Sequence, residues 1–191
     1  MITRLGVRDA KTIAKIHASA LKDDFLPSLG INFLTIFYKG LYAIKGVSIF
    51  GSKRGTRITG FIVGTDDMSG LFKKILKNNF LTLSWFLFLT VIRKPALIIK
   101  IAETFLYPGK EAGPKAELVV IAIQKNYQGK GLGKSLVKEL EREFRKNKVK
   151  EYKLTVHADK KAVRFYEKLK YKRIGEFMLY GKEWFIYSRK I

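Results

Sequence analysis

The chain has no cysteine, only two histidines and four prolines, and few acids for its size. Without cysteine there is no disulfide scaffold and no thiolate metal site, which suits a reducing compartment. His17 and His157 lie far apart in sequence, so no histidine-rich metal site is expected. The 16 Asp and Glu residues face 38 Lys and Arg, a formal charge of +22. Such an excess points to an anionic partner (nucleic acid, a phosphate-bearing cofactor or anionic lipid) or to a solvated basic surface. Long apolar runs are also missing. The longest, LTLSWFLFLTVI at 81–92, falls short of the roughly 20 residues that a spanning helix needs. The amino terminus, MITRLGVRDAK, lacks the apolar core of a secretory signal. A cytoplasmic protein is expected, with a peripheral membrane contact as one option.

What is present is a foldable chain of 191 residues, 47% hydrophobic and 28% charged, which suits one domain with a single core. Residues 2–8 read as a strand, with Asp9 capping a helix whose apolar face carries Ile13, Ile16 and Ala20. His17 is read as packed on that helix rather than chemical. After a break at Lys22-Asp23-Asp24 and Pro27, LGINFLTIFYKGLYA reads as a second helix. VSIFGS and TRITGFIVGT read as strands around a turn at 53–55. Residues 68–107 are apolar and basic, and Pro95 splits them into two helices. Packing against the core or an apolar partner is favoured for this segment over contact with a membrane surface, because the apolar run is short.

From 116 the pattern is strand, glycine loop, helix, strand, helix, hairpin. AELVVIAI is apolar almost throughout, as a strand covered on both faces should be. Leu132, Leu136, Leu140 and Phe144 mark a helix. Tyr152, Leu154 and Val156 alternate as a strand. Asp159 caps a helix carrying Ala162, Val163, Tyr166 and Leu169. Residues 173–180 and 183–189 pair across Gly181. A glycine loop between a buried strand and a helix start offers free amides at the positive end of a helix dipole, an anion site. Gly129, Gly131 and Gly133 are expected to permit positive φ and close approach, with Lys130 and Lys134 adding charge. The ending Gly133-Lys134-Ser135 is that of a triphosphate loop, but the first glycine of that motif would fall at position 128, which is Gln128. The dinucleotide pattern G-x-G-x-x-G is not met either, since the glycines run G-x-G-x-G.

The phrase that fits is Q-x-x-G-x-G at 128–133, which resembles the acetyl-coenzyme A loop of the GNAT acetyltransferase superfamily. The resemblance extends through IQKNYQGKGLGKSLVKELE, through VHADKKAVRFYEKLKYKRIGEF and, at the amino terminus, through RLGVRDAKTIAKIHASAL. It leaves 68–107 as an insertion. Departures are Asp159 where asparagine is commoner, Lys170-Tyr171 in place of Gly-Phe, and Lys125 where proline is frequent. The resemblance implies an α/β (α+β) GNAT fold. This is a mixed central sheet of six to seven strands with helices on both faces and a splayed parallel pair, 116–123 and 152–156. It also implies acetyl-coenzyme A as co-substrate and no metal. The pantetheine arm would meet the backbone of Ile121 and Ile123. The pyrophosphate would meet Gln128, Gly129, Lys130, Gly131, Leu132, Gly133 and Lys134, with Asp159 also on the cofactor side.

The same resemblance implies Tyr166 as the acid that protonates the departing thiolate, a role its ordinary phenol pKa allows; periodicity alone would make it a core residue. Glu117 is implied as the general base, and a strand-start acid facing solvent or pairing with a lysine is the equal alternative. The loop at 22–30 and the final hairpin are expected to build the acceptor site, with His157 lining the channel or structural. Asp23 and Asp24 either attract an amine or sit in a solvated turn. A small-molecule amine acceptor is expected, such as a nucleotide- or lipid-linked amino sugar. Acceptors on protein or peptide, and a non-catalytic module using the basic surface, are the alternatives. Nucleic acid is disfavoured by the lack of RNP-like aromatic phrases, and a homodimer is compatible with the sequence.

Overall fold

The computed structural model describes residues 1–69, 71–78, 85, 88, 92, 95, 97–105, 113–158 and 161–191. The strands are β1 (Ile2–Arg4), β2 (Val47–Arg54), β3 (Arg57–Thr65), β4 (Glu117–Ile123), β5 (Glu151–His157), β6 (Lys172–Leu179) and β7 (Lys182–Lys190). They form a seven-stranded sheet in the order β1-β2-β3-β4-β5-β7-β6. All neighbours are antiparallel except β4 and β5, which are parallel. The helices are α1 (Ala10–Ala20), α2 (Phe25–Ser28), α3 (Ile31–Tyr42), α4 (Leu71–Asn78), α5 (Leu97–Phe105), α6 (Leu132–Lys146) and α7 (Ala162–Lys168).

The sheet is covered on both faces because its central strands are apolar on both. On one face, α1 and α3 bury Ile13, Ile16, Leu34, Phe37 and Leu41 against Phe61, Val63 and Ala122. On the other, Leu136, Leu140 and Phe144 of α6 and Tyr166 of α7 meet Ile62, Leu118, Tyr152 and Leu154. Gly64 makes the second contact close: a Cβ there would lie 2.5 Å from Leu140 Cδ1 and 2.9 Å from Phe144 Cζ. His17 is a core residue, as read. It is 2% exposed, and its Nδ1 lies 2.6 Å from the Tyr38 hydroxyl. Burial pulls the imidazole down to about 4, so it is neutral at pH 7.

Several expected boundaries move. β1 stops at Arg4, because the Gly6 N–H donates to Asp9 Oδ2 at 3.0 Å and holds a tight turn. Asp9 therefore caps that turn and makes no side-chain cap on α1. The turn between β2 and β3 falls at 55–56 rather than 53–55, with Gly55 in the left-handed region at φ 58. The short helix α2, which contains Pro27, was not foreseen. Within 68–107, Met68, Leu71 and Ile75 join the α1–α3 core, and Leu97 and Ile101 pack against it. Trp85, Phe88 and Ile92 are helical but exposed, so core packing is the wrong reading for those positions.

Candidate active site

The central feature is a gap in the sheet. β4 and β5 pair only at Glu117–Lys153 and Leu118–Leu154. A register shift on the β3 side follows at once, between Val63–Val120 and Gly64–Leu118, which leaves Val119 as the extra residue of a bulge. A bulge bends its strand and sharpens the local twist, so β4 leaves β5 from this point. The expected splay is thus located.

Backbone groups line the gap. The Gln124 N–H donates to the Thr59 carbonyl of β3 at 2.9 Å. Backbone groups of alternate residues share one edge of a strand. Ala122 therefore also points to β3, while Ile121 and Ile123 turn their N–H and C=O toward β5. Gln128 Nε2 donates to the Ile123 carbonyl at 3.0 Å and ties the loop beneath the end of β4.

The loop leads from a short 3-10 turn at Lys125–Tyr127 into α6. Gly129 and Gly131 adopt φ of 73° and 77°. A Cβ on either would meet no atom within 4 Å, so the space beside them is open. Gly131 is the N-cap of α6 and gives no side-chain cap, which leaves the first amides of a 15-residue helix directed outward. Two expectations change here. Gly133 has no positive φ; a Cβ there would lie 3.1 Å from Phe165 Cζ, a tight contact, so the glycine eases the approach of α6 and α7. Lys130 turns back on the loop, with Nζ 3.0 Å from the Asn126 carbonyl and over the Tyr127 ring at 5.6 Å. Lys134 is exposed on the first turn of α6 beside the half-buried Leu132. Such a surface, with free amides, no side chain in the way and lysine nearby, fits a diphosphate.

Tyr166 lies on the α6–α7 face, 5% exposed, in the cluster against which Ile121 and Ile123 pack. Burial first, and Tyr171 second, push its phenol well above the ordinary value, so it holds its proton at pH 7. Its ring sits 5.4 Å from that of Tyr171. The Tyr171 N–H donates to the Tyr166 carbonyl at 3.1 Å, across Lys170 at φ 63. The lysine that replaces the usual glycine thus accepts the left-handed turn. Tyr171, where phenylalanine was expected, reaches the Tyr152 hydroxyl. Tyr152 donates to Glu141 Oε1 at 2.9 Å, and Arg189 Nε lies 3.1 Å from the same oxygen. A buried polar chain therefore fixes the end of α7, and the sequence reading missed it.

Glu117 faces the other way. Its neighbours Ala116 and Leu118 join the α6–α7 cluster, and alternation puts Glu117 on the α1–α3 face. It is 3% exposed and stands opposite Lys153, itself 0% exposed. Burial lowers the Lys153 ammonium and the Glu117 charge raises it. A partly buried base, or an acid facing solvent or pairing with a lysine, was expected; the structure gives a buried acid with a lysine across the strand pair. Tyr166 and Glu117 thus lie on opposite faces of the seam, beside the point where it opens.

On the α1–α3 face the gap meets an aromatic wall. His157, at the end of β5, stands edge-on to Trp184 at 5.4 Å between centroids. Trp184 reaches Tyr180 at 6.5 Å, and Tyr180 reaches Phe25 of α2 at 5.0 Å. The insertion completes this wall. Glu103 accepts the Tyr180 N–H at 2.7 Å, and Thr104 Oγ1 lies 2.7 Å from the Tyr180 hydroxyl. Burial, then Glu103 and Asp24 against the Thr104 hydrogen bond, pushes the Tyr180 phenol up to about 12. The segment 22–30 and the final hairpin do come together, as expected. Trp184, Tyr180 and Phe25 were not singled out, because nothing local marks them. Asp159 lies outside the described residues. Among the described residues no cluster of acids and histidines could hold a metal.

The sheet opens between two parallel strands beside a glycine-led helix, the arrangement that the sequence resemblance implies. Residues 111–179 match the model of the acetyltransferase (GNAT) domain. No curated protein sequence matches the chain. Among solved structures it resembles a ribosomal-protein-alanine N-acetyltransferase from Brucella melitensis, with 12% identity over 100% of this chain and 99% of that one, TM-score 0.65. It resembles the PaiA N-acetyltransferase from Thermoplasma acidophilum, solved in complex with coenzyme A, with 16% identity, 100% and 98% coverage and TM-score 0.60. An acetyltransferase from Thermus thermophilus gives 13% identity, 100% and 96% coverage and TM-score 0.61. At these identities the likeness speaks for the fold.

Proposed function

We propose that this chain is an acetyltransferase that moves an acetyl group from acetyl-coenzyme A to the primary amine of a small molecule, with an amino sugar as the compound class to test first. The observation that carries this reading is the opening of the β4–β5 seam past Leu118, with the glycine loop on one side and the aromatic wall on the other. Gln128, Gly129, Gly131, Leu132, Gly133 and Lys134 would hold the diphosphate by amides and charge, and the free edge of Ile121 and Ile123 would hold the arm. Lys130 contributes positive field while bound to its own loop. When bound, acetyl-coenzyme A supplies an activated thioester.

The protein supplies proton positions. Tyr166, kept neutral by burial, holds a proton for the sulfur on the α6–α7 face. Glu117, on the acceptor face, is the base we assign to the incoming ammonium, which must lose a proton before it can attack. The basic, aromatic segment 68–107 suggested an anionic or amphiphilic acceptor. Locally, Glu103 and Asp24 both act on Tyr180, which favours a cation at the wall. The aromatic rings of Phe25, Tyr180 and Trp184 suit the flat faces of a sugar or of alkyl chains.

The test follows thiol release from acetyl-coenzyme A against amino sugars, polyamines and peptides with free amino termini. Release with a small amine and none with peptides supports the reading. Release with peptides alone overturns the small-molecule acceptor.

A further inference from the structure

We propose that the 68–107 insertion seats this chain on an anionic membrane surface, beside the acceptor wall. The inference does not depend on which amine is acetylated.

Five of the exposed large apolar side chains sit in this segment: Trp85 at 59%, Phe88 at 55%, Ile92 at 62%, Ile98 at 56% and Ile99 at 64%. Trp85, Phe88 and Ile92 recur at helical spacing, so they share one face, and the rings of Trp85 and Phe88 stack at 6.0 Å. Helix α5 is apolar on two sides. Leu97 and Ile101 pack against the core, while Ile98 and Ile99 point outward. α5 also carries Lys100 and Glu103, so the exposed apolar patch at Ile98 and Ile99 is bordered by charge, the pattern of a helix at an interface.

The charge of the segment selects that cover. Its sequence holds Lys73, Lys74, Lys77, Arg93, Lys94 and Lys100 against one acid, Glu103, and that acid accepts the Tyr180 N–H. Lys74 and Lys77 are exposed. Apolar anchors with an unbalanced set of lysines match the acyl boundary and phosphates of an anionic leaflet. An apolar protein surface would answer the anchors and leave the lysines unmatched. Among the described residues no helix is long and apolar enough to cross a membrane, and the contact proposed is peripheral, through apolar side chains and lysines at the interface. Through Glu103 and Thr104 the same insertion holds Tyr180 of the acceptor wall. Docking would therefore bring the wall close to the bilayer.

The test is co-sedimentation of the full chain with vesicles of phosphatidylcholine alone and with about 30% phosphatidylglycerol. The expected result is binding to the anionic vesicles only, largely lost at about 0.5 M salt. A Trp85→Ser, Phe88→Ser, Ile92→Ser variant should bind roughly tenfold more weakly or worse, with an unchanged melting curve and unchanged coenzyme A binding as its fold controls. An Ile98→Ser, Ile99→Ser variant should show the same loss. Equal binding to neutral vesicles, no binding at all, or binding unaltered in both variants would overturn the proposal. So would a vesicle-free dimer that the triple variant dissolves, because a second copy would then be the cover.

Discussion

Replacing Glu117 by glutamine removes the charge opposite a lysine with no exposure to solvent. The Lys153 ammonium is already lowered by burial and held up by Glu117. Breaking a buried pair by deleting one partner costs about 3–5 kcal/mol, whereas replacing both by neutral groups of similar volume is close to neutral. For a chain of this length each kcal/mol moves the melting temperature by roughly 2–4 °C. Glu117→Gln should therefore melt about 6–20 °C lower at pH 7, and the Glu117→Gln, Lys153→Met double variant should recover most of that loss. Circular dichroism melts of the two variants and the parent measure both. A single variant within about 1 kcal/mol of the parent would refute the pairing. The double variant also isolates the chemistry. If Glu117 is the base, it should be folded yet release thiol about a hundredfold more slowly. Full rate in the restored fold would make Glu117 structural only.

Tyr166→Phe should bind coenzyme A like the parent and lower kcat about a hundredfold, read by thiol release. Lys170→Gly should raise stability by about 1 kcal/mol, seen as a higher urea midpoint, because φ 63 costs a lysine what it does not cost glycine. His17 has its folded value lowered from 6.5 to about 4, so the unfolded chain binds the extra proton first as pH falls. Stability should decline between about pH 6.5 and pH 4, by roughly 3 kcal/mol for this group. In His17→Gln that part of the decline should be absent from urea titrations across this range.

The ends of the fold were legible because their signals are local. Apolar spacing in Leu136, Leu140 and Phe144, the alternation of Tyr152, Leu154 and Val156, and the glycine loop each lie within one element. The parallel seam was legible only through a family likeness, and its bulge at Val119 carries no sequence mark. Lys153, between Tyr152 and Leu154, carries no sequence mark of burial; it stands opposite Glu117 where β4 pairs with β5. The aromatic wall joins Phe25, Tyr180 and Trp184 from distant elements. Such contacts are set by topology rather than by spacing. Gly133 shows the opposite error. It was expected to adopt positive φ, yet its φ is not positive, and the Cβ it lacks would lie 3.1 Å from Phe165 Cζ.

The central claim is that the amides from Gln128 to Lys134 grip a diphosphate while the open edge of β4 receives the pantetheine arm. Calorimetric titration with coenzyme A and with acetyl-pantetheine, which lacks the diphosphate, tests it most directly. The account predicts saturable binding of coenzyme A, binding of acetyl-pantetheine weaker by at least about a hundredfold, and loss of the difference in Gly131→Val, whose left-handed turn at φ 77 cannot hold valine. Equal affinity for the two ligands, or no binding of coenzyme A to the folded chain, would contradict it.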